Sequence, residues 1–245
     1  MEYEIKKDNL IEGKNAIYEH IKSNHSVRKL YVLKGSRDDR INYIVDEAKK
    51  TNATIKFVDR DFLDSISESK KHKGIIAEVD EYKYFELDDV LNQNTKDGMF
   101  LLILDEIEDP HNLGAIIRSA SLFGVDGIII KNRNACQVNT TVISSSAGAI
   151  EYVKVIRVNN ISKTIEYLKE QNFWVYGLDS DGEDITKEEF SKNICLVVGN
   201  EGSGISRLVK EKCDKMLSIK TTNVIDSLNA SVAAGISMSI VYNHK

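Results

Sequence analysis

An α/β fold with a mainly parallel sheet covered on both faces is what this chain predicts, and two patterns predict it. From Gly98 onward, short near-continuous runs of Ile, Val and Leu alternate with amphipathic stretches. Strands read this way when helices crossing between parallel neighbours cover the sheet above and below. The first eighty residues carry a smaller helix and strand alternation of their own, and at 245 residues the chain exceeds a typical single domain. The expected organisation is a front domain over 1–80, a connector over 81–97 and a main domain over 98–245.

The elements follow from periodicity. IEGKNAIYEHIKS sets Ile11, Ala16, Ile17 and Ile21 at roughly helical spacing, LYVLKG reads as a strand, INYIVDEAKKTN as a second amphipathic helix, and TIKFVD and GIIAEV as two more strands. YKYFELDDVLNQNTKDG is polar with one weak helical stretch, as suits a connector. Beyond it the expected order is strand FLLILD, a helix from about Leu113 to Phe123, strand GIIIK, a helix around Ser144–Ala149 and strand YVKVIRV. Helix ISKTIEYLKEQ, strands FWVYGL and ICLVVG, helix ISRLVKEKC, strand KMLSI and a final helix from Ser227 complete it.

Composition bounds the function. The net charge is −5, unevenly spread: residues 1–80 hold 16 Lys/Arg against 15 Asp/Glu (net +1), and 81–245 hold 17 against 23 (net −6). Bulk attraction to nucleic acid is thus disfavoured, and any RNA affinity has to come from local patches. Candidates are Arg28 and Lys29 before LYVLKG, Lys34, Arg37 and Arg40 after it, and the run Lys70-Lys71-His72-Lys73; a short basic run is also what an ordinary solvated surface carries. No stretch of eighteen apolar residues occurs, and MEYEIKKDNL is too charged for a secretory signal, so a cytoplasmic protein with no membrane partner is expected. Cys136, Cys195 and Cys213 are odd in number and contain no C-x-x-C pair, which predicts reduced, buried thiols.

Several chemistries lose their support. Gly199–Gly204 lacks the Lys-Ser/Thr ending of a phosphate-binding P-loop and the spacing of G-x-G-x-x-G. The acidic segment Asp179–Asp184 has its glycine too early for an EF-hand and reads as a surface turn. Ser203 lacks the first glycine of G-x-S-x-G, and H-E-x-x-H is absent, which removes the main hydrolase and zinc signatures.

Three segments remain: DPHNLGAIIRSASLFG, LVVGNEGSG and SLNASVAAG. Each lies where an apolar strand gives way to small or polar residues and then a helix, the places where an α/β sheet presents free backbone groups to a ligand. Glycines 199, 202 and 204 let the backbone turn sharply and approach a flat ligand, and Glu201 places a carboxylate where a structural loop has little use for one. Ser227 can cap exposed amides, and Ala230, Ser231, Ala233, Ala234 and Gly235 make a small-residue surface suited to a ligand, a tightly packed core or a dimer contact. Taken singly, Asn112 is also a helix cap and Arg118 a surface ion-pair partner.

Together these residues resemble the SpoU (TrmH-like) branch of the SPOUT RNA methyltransferases, and most nearly its bacterial 23S rRNA guanosine 2′-O-methyltransferases. NLGAIIRSASLFGVDGIII looks like the first family motif, LVVGNEGSGIS the second and SIKTTNVIDSLNASVAAGISM the third, while IEGKNAIYEHIKS and HKGIIAEV resemble the L30e-like RNA-binding extension of these enzymes. The resemblance implies a deep trefoil knot in the C-terminal domain, dimerisation through that domain, and S-adenosylmethionine bound against Gly199, Ile219 and Leu228. It places Arg118, Glu201, Ser227 and Asn229 in the catalytic neighbourhood. Asn112 would help hold the first-motif loop and RNA, with Arg28, Lys70, Lys71 and Lys73 contacting RNA.

The implied reaction holds a ribose 2′-hydroxyl in line with the donor methyl and removes its proton. A guanidinium stays charged in proteins, so Arg118 suits a phosphate or alkoxide stabiliser better than a base. Ser227 and Asn229 would orient the ribose, and Glu201 would position Arg118 or contact the substrate. The sulfonium leaves as a neutral thioether, so no metal is expected. One departure stands out: Ile219-Lys220-Thr221-Thr222-Asn223 replaces the family's Ile-Pro and following glycine, removing a backbone constraint. The alternatives are a non-catalytic RNA-binding or ribosome-assembly protein, or a methylase of another rRNA or a tRNA site, an antibiotic-resistance methylase included.

Overall fold

The computed structural model describes residues 9–23, 25–67, 70–93, 98–222, 224 and 227–244. The chain forms two compact units: Met1–Lys83 together with Val138–Glu151, and Tyr84–Gln137 together with Tyr152–Lys245.

The first unit is a four-stranded sheet in the order β1-β4-β2-β3, with β1 Leu10–Glu12, β2 Val27–Leu33, β3 Thr54–Val58 and β4 Ile75–Val79. β2 and β3 run parallel, and β4 is antiparallel to both β1 and β2. Helices α1 (Lys14–Lys22), α2 (Asp39–Lys50) and α3 (Arg60–Ile66) connect them. α2 presents Ile41, Ile44, Val45 and Ala48 to the core, and its N-terminus is capped by Asp38, whose carboxylate accepts from the amides of Arg40 and Ile41. Leu10, Tyr31, Leu63, Ile66 and Ile76 pack into one buried cluster.

One local expectation changes here, and one helix had not been expected. Ile11 lies in β1 rather than in the first helix: Gly13, at φ 88°, turns the chain between the two elements, and Ile11 pairs with Ala77 instead. α3 had no clear sequence signal, because only Leu63 and Ile66 of its seven residues are buried.

The second unit is a six-stranded, all-parallel sheet in the order β10-β8-β9-β5-β6-β7. Its strands are β5 Phe100–Leu104, β6 Gly127–Lys131, β7 Lys154–Val158, β8 Trp174–Asp184, β9 Ile194–Val198 and β10 Lys215–Ser218. Every residue of β5 and β9 is buried. One face packs Leu101, Ile103, Ile129, Cys195 and Val197 with Ile161, Ile165 and Leu168 of α7 (Ile161–Glu170) and Val209 of the short α8 (Arg207–Lys210). Alternate strand residues point the other way, where α9 (Ala230–His244) packs on α5 (Pro110–Leu122) and β9.

Two further expectations are corrected. The helix around Ser144–Ala149 is instead α6, Thr140–Ser145, with a 3-10 turn at Ala149–Glu151; Ala147 and Gly148 at φ 54° and 91° break the helix, and α6 packs in the first unit. Asp179–Asp184 is not a surface turn but the second half of β8, in register with Leu217 and Ser218 after a bulge. Gly182 permits this, because a Cβ there would meet the Leu217 backbone. In the polar stretch after the first unit, α4 (Leu87–Leu91) buries Val90 in the second unit's core, and Phe85 bridges Ile156.

Among the described residues the three cysteines are free, Cys136 and Cys195 buried and Cys213 partly so. Burial pushes the thiol of Cys136 up to about 11 and that of Cys213 to about 12, and raises Cys195 well above its ordinary value. None of them is a reactive thiolate. No described helix is long and apolar enough to cross a membrane.

Candidate active site

β5 is followed by β6 and β7 on one side, while β9 lies on its other side, so the strand order reverses between β5 and β9. Open α/β sheets bind ligands at the carboxyl ends of strands beside such a reversal. Here the carboxyl ends of β9 and β10 and the middle of β8 surround a cavity of about 400 Å³. Leu178, Val198, Leu217, Ile219 and Leu228 form its apolar wall, and Ala230 and Ala233 of α9 keep it open. Asp179, Ser180, Thr221 and Ser227 supply polar edges. Lys210 hydrogen-bonds Asp179 at 2.8 Å, which holds that carboxyl below its usual range.

The loop after β9 is a closed turn. The amide of Gly204 donates to the Asn200 carbonyl at 2.8 Å, and the amide of Asn200 donates to the Gly204 carbonyl at 3.1 Å. Gly199 is obligatory: a Cβ there would run into the backbone of Gly204 and Ile205. Asn200 holds the turn from inside, its Oδ1 accepting from the Gly202 amide at 2.8 Å and its Nδ2 donating to the Glu106 carbonyl at 3.0 Å. Fully buried Asp105, at the end of β5, accepts from the Ser206 amide at 2.9 Å. Lys131 sits 3.4 Å from Asp105 and 3.0 Å from Glu106. Burial acts to lower its pKa, and the Glu106 hydrogen bond and Asp105 charge outweigh that and leave it raised.

The three motifs meet at Glu201. Its Oε1 accepts from Asn112 Nδ2 at 2.8 Å, from Asn229 Nδ2, and from the amide of Ala230 at 3.1 Å. A carboxylate in this place faces the positive end of α9. Asn229 Nδ2 also donates to Asn112 Oδ1 at 3.0 Å, and its own Oδ1 accepts from the amides of Ser231 and Val232. Asn229 is therefore the cap of α9, and Ser227 is not: the Ser227 hydroxyl donates to the Glu201 carbonyl at 3.4 Å. Asn112 is likewise no cap, being buried inside α5, which Asp109 caps with Pro110 following.

Of the expected residues, Gly199, Ile219, Leu228, Ser227 and Glu201 all line the cavity, and Asn112 and Asn229 adjoin it through Glu201. Arg118 stands apart from that group. It is exposed on α5, its side chain has no partner among the described residues, and Glu201 does not hold it. Six residues separate it from Asn112, about 240° around a helix, so the two point to different sides. Lys220 pairs with Asp184 at 2.9 Å, a tether in place of the missing proline; Asn223 lies outside the described residues. Asn200, Asp105 and Asp179 had no assigned role in the sequence, although an acid closing the apolar run FLLILD was a readable sign of a buried partner.

In the first unit, Lys70, Lys71 and Lys73 are exposed around a buried His72. His72 accepts from the Gly74 amide at 3.1 Å through Nδ1, so Nε2 carries the proton shared with Asp64. The three lysines are thereby held outward. Arg28 is paired with Asp80.

A family profile described as the SpoU rRNA methylase family matches residues 99–239, and one described as RNA 2′-O ribose methyltransferase substrate binding matches residues 10–85. YacO of Bacillus subtilis (strain 168), described as a TrmH-family tRNA/rRNA methyltransferase, is 42% identical over 236 residues, covering 95% of this chain and 94% of its own. A protein of Staphylococcus haemolyticus with the same family description is 39% identical over 242 residues, covering 98% and 97%. The fold matches the SpoU methyltransferase AviRb of Streptomyces viridochromogenes, crystallised with AdoMet, at a TM-score of 0.81 and 22% identity over 96% of this chain and 89% of that one. The chain belongs to the SpoU rRNA methylase family, whose members are RNA 2′-O ribose methyltransferases.

Proposed function

We propose that this protein methylates the 2′-hydroxyl of a guanosine ribose in 23S rRNA, using S-adenosylmethionine, in the cytoplasm. The observation that carries the reading is the junction of Asn112, Glu201 and Asn229 beside the 400 Å³ cavity at the strand ends. The cavity suits the donor: an apolar slot walled by Ile219, Leu228 and Leu217 for a purine, with Asp179 and Ser180 at its edge for ribose hydroxyls. AviRb's complex with AdoMet supports the same assignment. The bound donor would supply an electrophilic methyl group and leave as a neutral thioether.

Gly199, Ile219 and Leu228 hold the donor, largely through backbone groups. Ser227 and Asn229 orient the ribose, and Arg118, free of any described partner, stabilises a phosphate or the developing alkoxide. Glu201 and Asn112 are positioning residues, since their polar atoms fasten the loop to α5 and α9. Lys70, Lys71 and Lys73 contact RNA phosphates. Arg28 does so only by exchanging Asp80 for phosphate.

We extend the reading to a homodimer through α5 and α9, whose Leu122, Val232, Ile236 and Tyr242 expose apolar surface, and to a trefoil knot in the chain after β9. The expected domain division, 1–80, 81–97 and 98–245, stands as a functional proposal, with RNA binding in the front part and methyl transfer in the last. Transfer of labelled methyl from the donor into unmodified large-subunit RNA, followed by mapping, tests the reading. Label on a 23S guanosine 2′-oxygen supports it; label confined to transfer RNA or to a base overturns it.

A further inference from the structure

Outside the loops around the cavity, one cluster in the first unit has no part in methyl transfer: His20, His25 and Glu151. His20 is on α1, His25 follows it, and Glu151 closes the 3-10 turn at Ala149–Glu151, 131 residues from His20. The amide of His25 donates to the His20 carbonyl at 3.2 Å, and this return brings the two rings edge to face with centroids 5.1 Å apart. Glu151 lies between them, Oε1 at 2.7 Å from His20 Nδ1 and Oε2 at 3.0 Å from His25 Nδ1. The side chains of His20 and Glu151 are 10% and 4% exposed, and that of His25 is 52% exposed.

With neutral imidazoles, the hydrogen bonding leaves this cluster short of a positive centre. His20 Nε2 faces the Ser26 carbonyl at 3.4 Å. A carbonyl only accepts, so a neutral His20 carries its one ring proton on Nε2 and presents the Nδ1 lone pair to Glu151. Two acceptors at 2.7 Å repel unless a positive centre sits between them. A backbone carbonyl holding the far nitrogen of a histidine is also the arrangement that orients a metal-ligating imidazole.

We propose that His20, His25 and Glu151 form a binding site for a divalent transition-metal ion of the zinc class. The donor atoms lie within 4.8 Å of one another. Ligand bonds of about 2.0–2.2 Å in tetrahedral array place neighbouring donors about 3.3–3.6 Å apart, so the Glu151 contacts to His20 and His25, at 2.7 and 3.0 Å, have to open to admit an ion. Two neutral imidazoles and one carboxylate are a borderline donor set that favours zinc or cobalt over magnesium or calcium. The open side at His25 leaves room for water in the remaining position. The ion would be structural: it joins α1 to Val138–Glu151, the segment that returns to this unit from far along the chain. Because it binds only the folded arrangement, it stabilises that unit.

The test uses the full-length protein after chelator treatment, titrated with Co²⁺ and then Zn²⁺, with thermal melts in parallel. One equivalent of Co²⁺ should give a visible ligand-field band that Zn²⁺ displaces, and Zn²⁺ should raise the Tm. His25→Ala, at the exposed ligand, keeps the fold and should weaken Zn²⁺ binding on the order of 100-fold or more, beyond what loss of an outer partner costs. Glu151→Gln should lose the band, and His244→Ala should keep it. No stoichiometric Co²⁺ or Zn²⁺ binding by the folded protein overturns the proposal, because a proton then fills the gap. So does a spectrum unchanged in His25→Ala and Glu151→Gln.

Discussion

Asn229 donates its side-chain amide to Oδ1 of Asn112 at 3.0 Å across 117 residues of sequence, and both amides converge on Oε1 of Glu201. The α5 motif, the β9 loop and the cap of α9 therefore form one polar junction. It predicts coupling. Asn112→Ala and Asn229→Ala should each lower methyl transfer by about 10²-fold or more, as removal of a positioned polar group does. Asn229→Ala should also cost roughly 1 kcal/mol of stability as a missing helix cap. The double variant should fall short of the sum by about 0.5–3 kcal/mol, measured as a double-mutant cycle in urea melts. Additive effects would show two independent interactions.

Arg118 predicts the opposite pattern. Its exposed side chain holds nothing in place among the described residues, so Arg118→Ala should leave the Tm, the oligomeric state and donor affinity near wild type. Turnover on RNA should fall on the order of 10²-fold or more. Nearly full turnover would show that Arg118 takes no part in the reaction.

The lysine cluster is tested through salt. Replacing Lys70, Lys71 and Lys73 with Ala should flatten the dependence of RNA affinity on salt by about 0.7–0.9 in log–log slope for each phosphate that is no longer neutralised. An unchanged slope would show solvated lysines. Point variants are required here, because deleting residues 1–80 also strips α6 of β1, where the Glu12 amide donates to Ser144 Oγ.

Acid stability follows from Asp184. Its hydrogen bond from Thr186 and then the Lys220 ion pair hold its carboxyl down at about 2, from an ordinary 3.8. A depressed carboxyl contributes stability above the unfolded value, and the contribution is lost as pH falls through the folded one, here between about pH 4 and 2. Lys220→Ala should move the acid transition of the second unit to higher pH, followed by circular dichroism. It should weaken donor binding no more than a few-fold, since the lysine end of the pair is exposed.

The parallel sheet was legible because β5 and β9 are buried on both faces and leave no room for polar residues. The meeting of Asn112, Glu201 and Asn229 was legible only as three motifs, since no spacing reports which amide reaches which oxygen. Long-range pairings escaped. Nothing local in Thr140–Glu151 says that it packs with α1 and β1, nor does DSDGED look like a strand until Gly182 admits the Leu217 backbone. The cap of α9 went to Asn229 rather than Ser227 because the helix begins at Ala230.

The central claim is that the cavity beside Glu201 is the methyl-donor site, and calorimetric titration of the full-length protein with S-adenosylmethionine tests it most directly. We predict one saturable site per chain in the wild type, and loss of binding in Ala233→Phe, which fills the cavity while melting as a folded protein. A folded wild type that binds no donor, or an Ala233→Phe variant that binds like wild type, would contradict the account.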